Sequence, residues 1–271
     1  MLLIGLIVLL ALSFPSGRAG PRQDPPPPTT IKPPSEEVAP LPVPEGAPEQ
    51  INELILELAR EGVTVDFEHR VVEVRGVILL DRMLASYPIE YLIVTETGFT
   101  HEALALVRVT PSRLNAAFLA LGLTPGKTIE YVKKDPPPSE EDLISGKVRE
   151  FDAIPPKGEV VDVSVRWTDE EGPQLRPIED LIRYVTNGSS LPRRGFVYVG
   201  SKFRKVLIGV ERQERFIADM EGNVVSLYLS GFGHCLFDMN SAEGAESYLY
   251  DIDTETCPAH GTKATFIFSL R

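Results

Sequence analysis

The chain has 271 residues, and an excess of 39 acidic over 27 basic side chains gives it a net charge of −12 at neutral pH. A chain of this length holds one large domain or two small ones. The negative charge repels the phosphate backbone that nucleic-acid-binding proteins neutralise, and it argues against adsorption to anionic lipid, which needs clusters of Lys and Arg.

An apolar run at residues 2–14 begins the chain. It is too short for a membrane span of about 20 residues, and its length is typical of the apolar region of a signal peptide. Because Gly17 and Ala19 place small residues before a cleavage point, we predict a signal peptide over residues 1–19 and a mature chain that begins at Gly20. The run has no preceding Lys or Arg, which leaves open an uncleaved short anchor or a misassigned start. The expectation is export to the periplasm or beyond, with no transmembrane span in the mature chain and a membrane tether if the signal is not cleaved.

Proline dominates the next segment. Residues 21–48 hold eleven of the chain's 24 prolines and no aromatic side chain. Such a sequence cannot bury a core, and it favours an extended polyproline conformation. We therefore predict a disordered, proline-rich linker over residues 20–48, with a proline-motif ligand as the alternative. A single domain is predicted over residues 49–271, with a polar loop or insertion at 133–158.

Helical signals occur at three places in the predicted domain. The first helix has an apolar stripe with helical spacing, formed by Ile51, Leu54, Ile55 and Leu58. The second begins with Thr110 and Pro111 and ends at Gly122. A third, short helix is predicted at 177–185 from its apolar spacing.

Most other segments of the domain are rich in β-branched and aromatic residues, which favour strands, and residues 221–223 are predicted to turn one hairpin. The predicted fold class is α+β, a single domain with a mainly antiparallel sheet and two or three packed helices.

Several short segments, in their order along the chain, carry a resemblance to a known family. They include Thr100-His101-Glu102 before an apolar strand, the run from Phe196 to Ser201, and the run from Pro258 to Thr262 before the last strand. In these segments the chain resembles the YdjY-like domain of exported bacterial proteins. The resemblance implies an exported location and a single domain, and it implies no particular reaction.

His101 and Glu102 are the first candidate catalytic residues, since they lie on a predicted loop between strands, where functional groups are often displayed. A histidine that titrates near neutrality can act as a base or a metal ligand. Adjacent residues of an extended segment point to opposite faces, however, so the two side chains are not expected to converge. The alternative is a hydrogen-bonded loop histidine beside an exposed carboxylate.

His234, Cys235, Cys257 and His260 form the second candidate group, with nitrogen and sulfur ligands of the kind that a structural zinc accepts. In an exported chain two cysteines more simply form a disulfide, and we predict one between Cys235 and Cys257. Two reduced, buried thiols and a zinc site are the alternatives. Two cysteines cannot supply the four thiolates of an iron–sulfur cluster, and no cofactor is expected.

An export signal, a spacer and a domain with few motifs together suggest presentation to a partner. We therefore expect a non-enzymatic binding or assembly module of the bacterial cell envelope, with an unknown envelope protein or small ligand as its partner. The alternative is an envelope hydrolase or metal-dependent enzyme that uses His101. A deep cleft with titratable groups around His101 would favour the enzyme, and a shallow polar surface would favour the module.

Overall fold

The structure is a computed structural model, and it describes residues 37–79, 88–145 and 148–271. The predicted signal peptide, its cleavage point and residues 20–36 of the predicted linker lie outside the described residues. Among the helices of the described residues, none has the length and apolar character needed to cross a membrane.

Strands make up most of the regular structure. The described helices are α1 (Glu49–Arg60), α2 (Pro111–Ala120), α3 (Glu140–Ile144) and α4 (Ile217–Glu221), with short 3-10 helices at Thr100–Glu102, Ile178–Leu181 and Ala242–Ala245. The described strands are β1 (Val63–Asp66), β2 (Val71–Ile78), β3 (Tyr91–Val94), β4 (Ala103–Val107), β5 (Glu130–Lys133), β6 (Phe151–Ile154), β7 (Val160–Asp169), β8 (Gly172–Pro177), β9 (Ile182–Tyr184), β10 (Phe196–Tyr198), β11 (Phe203–Ile208), β12 (Glu211–Phe216), β13 (Asn223–Ser226), β14 (Phe237–Met239), β15 (Tyr250–Ile252) and β16 (Lys263–Leu270).

Eight of these strands close into a barrel, in the order β2–β16–β7–β10–β14–β13–β3–β4 and back to β2. Most neighbours are antiparallel, and the pairs β13–β14 and β3–β4 are parallel. Closure depends on β2, which pairs with β16 along one edge and with β4 along the other. Closure pairs the two ends of this eight-stranded path with each other, while β1 and β8 extend the sheet by pairing with β2 and β7.

The alternation of buried and partly exposed residues along a strand shows which of its side chains point into the barrel. In β7, Val161, Val163 and Val165 are buried, and in β16, Phe266 and Phe268 are buried. Successive residues of a strand point to opposite faces, so these side chains share the interior. By contrast, β3, β4, β13 and β14 are buried at every residue, because both faces of that wall are covered.

Two helices complete the core. In α1, Ile55 and Leu58 are buried, and Ile51 and Leu54 pack against the core from partly buried positions, as their helical spacing requires. From α2, the ring of Phe118 meets three aromatic rings of the barrel strands, at centroid distances of 5.9 Å to Tyr198, 4.8 Å to Phe237 and 5.4 Å to Phe268. The helices therefore pack on the barrel core and form no layer of their own.

The predicted α+β class is wrong, because the described structure is mostly β and its main sheet closes on itself. Two local predictions also fail. Residues 177–185, predicted as a helix, form the 3-10 helix Ile178–Leu181 and strand β9, and the predicted turn at 221–223 is the end of α4, where Gly222 adopts a φ of +67°. Apolar spacing over so few residues fits several local structures equally well, and only the tertiary contacts select one of them.

The last residues of the predicted linker lie against the domain. The backbone N–H of Val38 donates to the carbonyl of Ala59 at the end of α1, with a distance of 3.0 Å between the two atoms. Val43 is partly buried against the hydrophobic core. Residues 37–48 thus contact the domain that the prediction begins at residue 49.

Candidate functional site

His101 and Glu102 lie at the surface, in the 3-10 helix that precedes β4. The His101 side chain is 70 % exposed, and its Nε2 lies 3.4 Å from Oε1 of Glu102. The helical turn brings together two side chains that the sequence analysis expected to diverge. No group of three or more His, Cys, Asp or Glu in the described parts of the chain is arranged to hold a metal ion. The pair is therefore an exposed contact between neighbours.

The two cysteines are buried and the structure does not join them, so the predicted disulfide has no structural support. The thiol of Cys235 donates to Oδ1 of Asp238, with 2.8 Å between the sulfur and the oxygen. Burial of the thiol is the main reason that the pKa of Cys235 lies well above its ordinary value, and the charge of Asp238 raises it further. A thiol in this state is protonated at neutral pH and is a poor nucleophile or metal ligand.

Three of the four proposed zinc ligands have different partners. Nδ1 of His234 is hydrogen-bonded to Ser230, whereas Nδ1 of His260 donates to the carbonyl of Leu79 at 2.5 Å. His260 is exposed, and Cys235 is engaged with a carboxylate. The described structure does not assemble these residues into one site.

A cleft that the sequence analysis did not identify lies beside β3. It has a volume of about 350 Å³ and is bounded by β3, the loop before His101, the hairpin of β11 and β12, α4, and the loop at 228–234. We call it the aromatic cleft. Its lining consists of Tyr91, Phe99, Arg204, Val206, Ile217, Met220, Glu221, Tyr228, Ser230, Phe232 and His234.

Aromatic rings form much of the wall of the aromatic cleft. Tyr91 and Phe99 are stacked, with ring centroids 5.4 Å apart, and His234 meets Tyr91 edge-on at 6.1 Å. On the hairpin side, the guanidinium of Arg204 lies 5.9 Å from the centroid of the Phe232 ring, within cation–π distance. Apolar and aromatic walls with a few polar groups are typical of sites that bind ligands or peptide side chains.

His234 is the buried polar group of the aromatic cleft. Its Nδ1 lies 2.6 Å from Oγ of Ser230, which also accepts a hydrogen bond from the backbone N–H of Phe232 at 3.3 Å. Burial lowers the pKa of His234 to about 4, so the ring is neutral at pH 7. Its Nε2 is buried and has no hydrogen-bond partner within the described residues. A catalytic histidine is usually oriented by a carboxylate, and neither ring nitrogen has one here.

Short polar contacts fix the base of the hairpin to the rest of the cleft. Oγ of Ser201 donates to the carbonyl of Gly233 at 2.7 Å and accepts from the backbone N–H of Ala218 at 3.1 Å. The backbone N–H of Ile217 donates to the carbonyl of Lys202 at 2.9 Å. These bonds join the start of β11, helix α4 and the loop at 228–234, so the wall that Arg204 occupies is held in place.

The model of the YdjY domain matches residues 63–269, which is most of the chain and includes every lining residue of the aromatic cleft. The chain belongs to the YdjY domain family. Comparison with curated proteins and with solved structures finds no match. The YdjY assignment confirms the resemblance drawn from the sequence, and it brings no reaction or ligand with it.

Sequence reasoning missed the aromatic cleft because its residues come from four separate stretches of the YdjY domain, at 91–99, 204–206, 217–221 and 228–234. His234 had been singled out only as a zinc ligand. The signal that was available is the spacing of Ser230 and His234, four residues apart in a glycine-rich loop. Such a spacing is common, and it becomes informative only beside Tyr91 and Phe99.

Proposed function

We propose that this YdjY domain is an exported, non-enzymatic binding or assembly module of the bacterial cell envelope, and that the aromatic cleft receives its partner. The observation that carries the proposal is the exposed apolar rim of the cleft. Phe99, Met220 and Phe232 are 41 %, 47 % and 59 % exposed, although each lines a concave site. Clustered apolar side chains that remain in water are a common mark of an interaction surface.

The chemistry of the described residues favours binding over catalysis. His101 is exposed, its Nε2 lies beside Glu102, and its ring meets that of Phe99 at a centroid distance of 6.1 Å. The buried histidine of the cleft, His234, is held neutral and lacks a carboxylate at either ring nitrogen. A hydrolase at His101 would need a cleft around that residue, and His101 does not line the aromatic cleft.

The location part of the proposal rests on the sequence, through the apolar run at 2–14 and the proline-rich segment that follows. Fractionation of cells that express the full chain tests it. We expect the protein in the envelope or exported fraction, with residues 1–19 removed or retained as an anchor. Recovery from the cytosol alone would contradict the proposal.

Photocrosslinking tests the binding part. A photoreactive amino acid at Met220, on the rim of the cleft, is expected to give a discrete crosslinked product in intact cells. The matched control places the same group at Leu175 in β8, which is 63 % exposed and does not line the cleft. Equal labelling from both positions, or none from either, would count against the cleft as the binding site.

A further inference from the structure

The turn of the β11–β12 hairpin carries apolar side chains that are exposed to water in the described structure. Leu207 is 69 %, Ile208 42 % and Val210 96 % exposed, and they surround the turn residue Gly209. The two strands pair with each other and form a sheet separate from the barrel. Burial of apolar side chains is favourable, so a cluster of them left in water at one turn points to a partner outside the fold.

The hairpin is also the basic part of an acidic chain. Residues 202–216 contain five bases, Lys202, Arg204, Lys205, Arg212 and Arg215, and two acids, Glu211 and Glu214, which gives a net charge of +3 where the whole chain has −12. No salt bridge among the described residues involves any of the five bases, whereas Arg193 and Arg271 elsewhere pair with Asp180 and Asp162. The net charge of the chain thus conceals a local cluster of Lys and Arg.

We propose that the turn of this hairpin inserts into the surface of an anionic phospholipid membrane. Apolar side chains at the turn enter the interfacial region, and the basic side chain nearest the turn, that of Arg212, contacts lipid phosphates. The inference rests on the proposed function only in that an envelope location places a membrane within reach. A protein partner would need a pocket shaped to this convex turn, whereas a fluid lipid surface accepts it without one.

The register of the hairpin fits this arrangement. Arg212 lies directly across from Leu207 and Glu211 directly across from Ile208. At about 3.3 Å per residue, Lys205 lies roughly 13 Å from the turn along its strand, and its long side chain spans part of that distance. An apolar turn buried by about 5–10 Å therefore brings Arg212 to the level of the phosphates. Glu211 is the one side chain at the turn that opposes binding.

A tryptophan at the turn reports insertion directly. The protein is purified as the cell produces it, with or without residues 1–19, and V210W is titrated with phosphatidylglycerol vesicles that contain brominated acyl chains. We expect bromine quenching and a blue shift of the new tryptophan. The matched control L175W, on the exposed part of β8, is expected to show neither, and Trp167 is common to both variants. An unquenched V210W would overturn the proposal, even if an apolar N-terminus brings the protein to the vesicle.

Charge variants in the V210W background test the lipid headgroup. Each basic side chain near an anionic surface adds about 1 kcal/mol, which is about fivefold in partitioning. R212Q is expected to weaken binding to phosphatidylglycerol vesicles by about that factor, and E211Q to strengthen it by a similar one. R108Q, a change at an exposed arginine outside the hairpin, serves as the control. Equal binding of V210W to phosphatidylcholine vesicles, or no response to either charge change, would overturn the role of anionic lipid.

The outcome is separable from that of the proposed function. Quenching of V210W by vesicles depends on the hairpin and the lipid, whereas fractionation and crosslinking at Met220 depend on where the protein resides and what enters the aromatic cleft. A cytosolic protein whose turn inserts into vesicles would refute the function and retain the inference. An envelope protein whose turn stays in water would refute the inference and retain the proposed function.

Discussion

The last strand of the barrel and the first strand of the hairpin are similarly apolar, yet their side chains end in opposite places. In β16, Ala264, Phe266 and Phe268 are buried, and in β11, Phe203, Leu207 and Ile208 are exposed. The difference lies in the neighbours: β16 is paired on both edges, whereas among the described residues β11 pairs with β12 alone. Apolar composition therefore predicts a strand, but the pairing of that strand determines whether its side chains are buried in the core or exposed at the surface.

Of the barrel and hairpin substitutions, the largest loss of stability is expected at Phe237 of the barrel. Its ring centroid lies 4.8–5.4 Å from those of Phe118, Tyr198 and Phe268. Truncation of a buried phenylalanine leaves a cavity, so Phe237→Ala is expected to reduce the free energy of unfolding by about 3–5 kcal/mol. Leu207→Ala in the hairpin is expected to change it by less than about 0.5 kcal/mol, as for most exposed positions. Urea denaturation of both variants checks the contrast, and comparable losses would mean that the hairpin belongs to the folding core.

Two glycines allow a finer test of the same contrast. Gly222, next to β13, has φ +67° and an added Cβ would lie 2.3 Å from the backbone nitrogen of Gly98, whereas Gly209 at the hairpin turn has φ +63° and open space around it. Both alanine variants carry the cost of a left-handed backbone, about 1–2 kcal/mol. Only Gly222→Ala adds a clash with backbone, about 1–3 kcal/mol more. Thermal or urea unfolding measures the difference, and equal losses would contradict the close approach at Gly98.

Local features of the sequence were enough to predict α1 and α2. The apolar stripe of α1 and the proline at the start of α2 act within a few residues, so tertiary contacts do not need to be known. The family resemblance was likewise confirmed over residues 63–269, because short segments in a fixed order can be read from the chain.

Closure of the barrel could not be predicted from local features of the sequence. It requires β2 to pair with β16, almost two hundred residues later, and with β4 on its other edge. Neither pairing leaves a trace in the local pattern of apolar residues. The predicted helix at 177–185 failed for a related reason, since its apolar residues fit a 3-10 turn followed by β9 equally well. The aromatic cleft was missed because it exists only after α4 and the hairpin have packed beside β3.

His234 lies between the two regions, buried beside Tyr91 of the barrel and in the cleft below the hairpin. Its pKa is lowered by burial to about 4, and the pKa of an unfolded histidine is about 6.5. As the pH falls below 6.5, His234 becomes protonated in the unfolded chain, whereas in the folded chain it stays neutral until near pH 4. The stability contributed by this histidine is therefore complete above pH 6.5 and is lost as the pH falls through that window.

The last prediction is that this loss amounts to about 2 kcal/mol between pH 7.5 and pH 5, from the difference of about 2.5 units between the two pKa values. Urea denaturation of the wild type and of His234→Gln at both pH values isolates it, because the other titrating groups are common to both proteins. His69→Gln is the matched control, and it is expected to shift the pH dependence in the opposite sense, since Asp66 raises the pKa of His69. If His234→Gln kept the full pH dependence of the wild type, the folded protein would accept a charge on this ring. Water would then reach Nε2 of His234, which means that the packing between the barrel and the hairpin does not exclude water at this histidine.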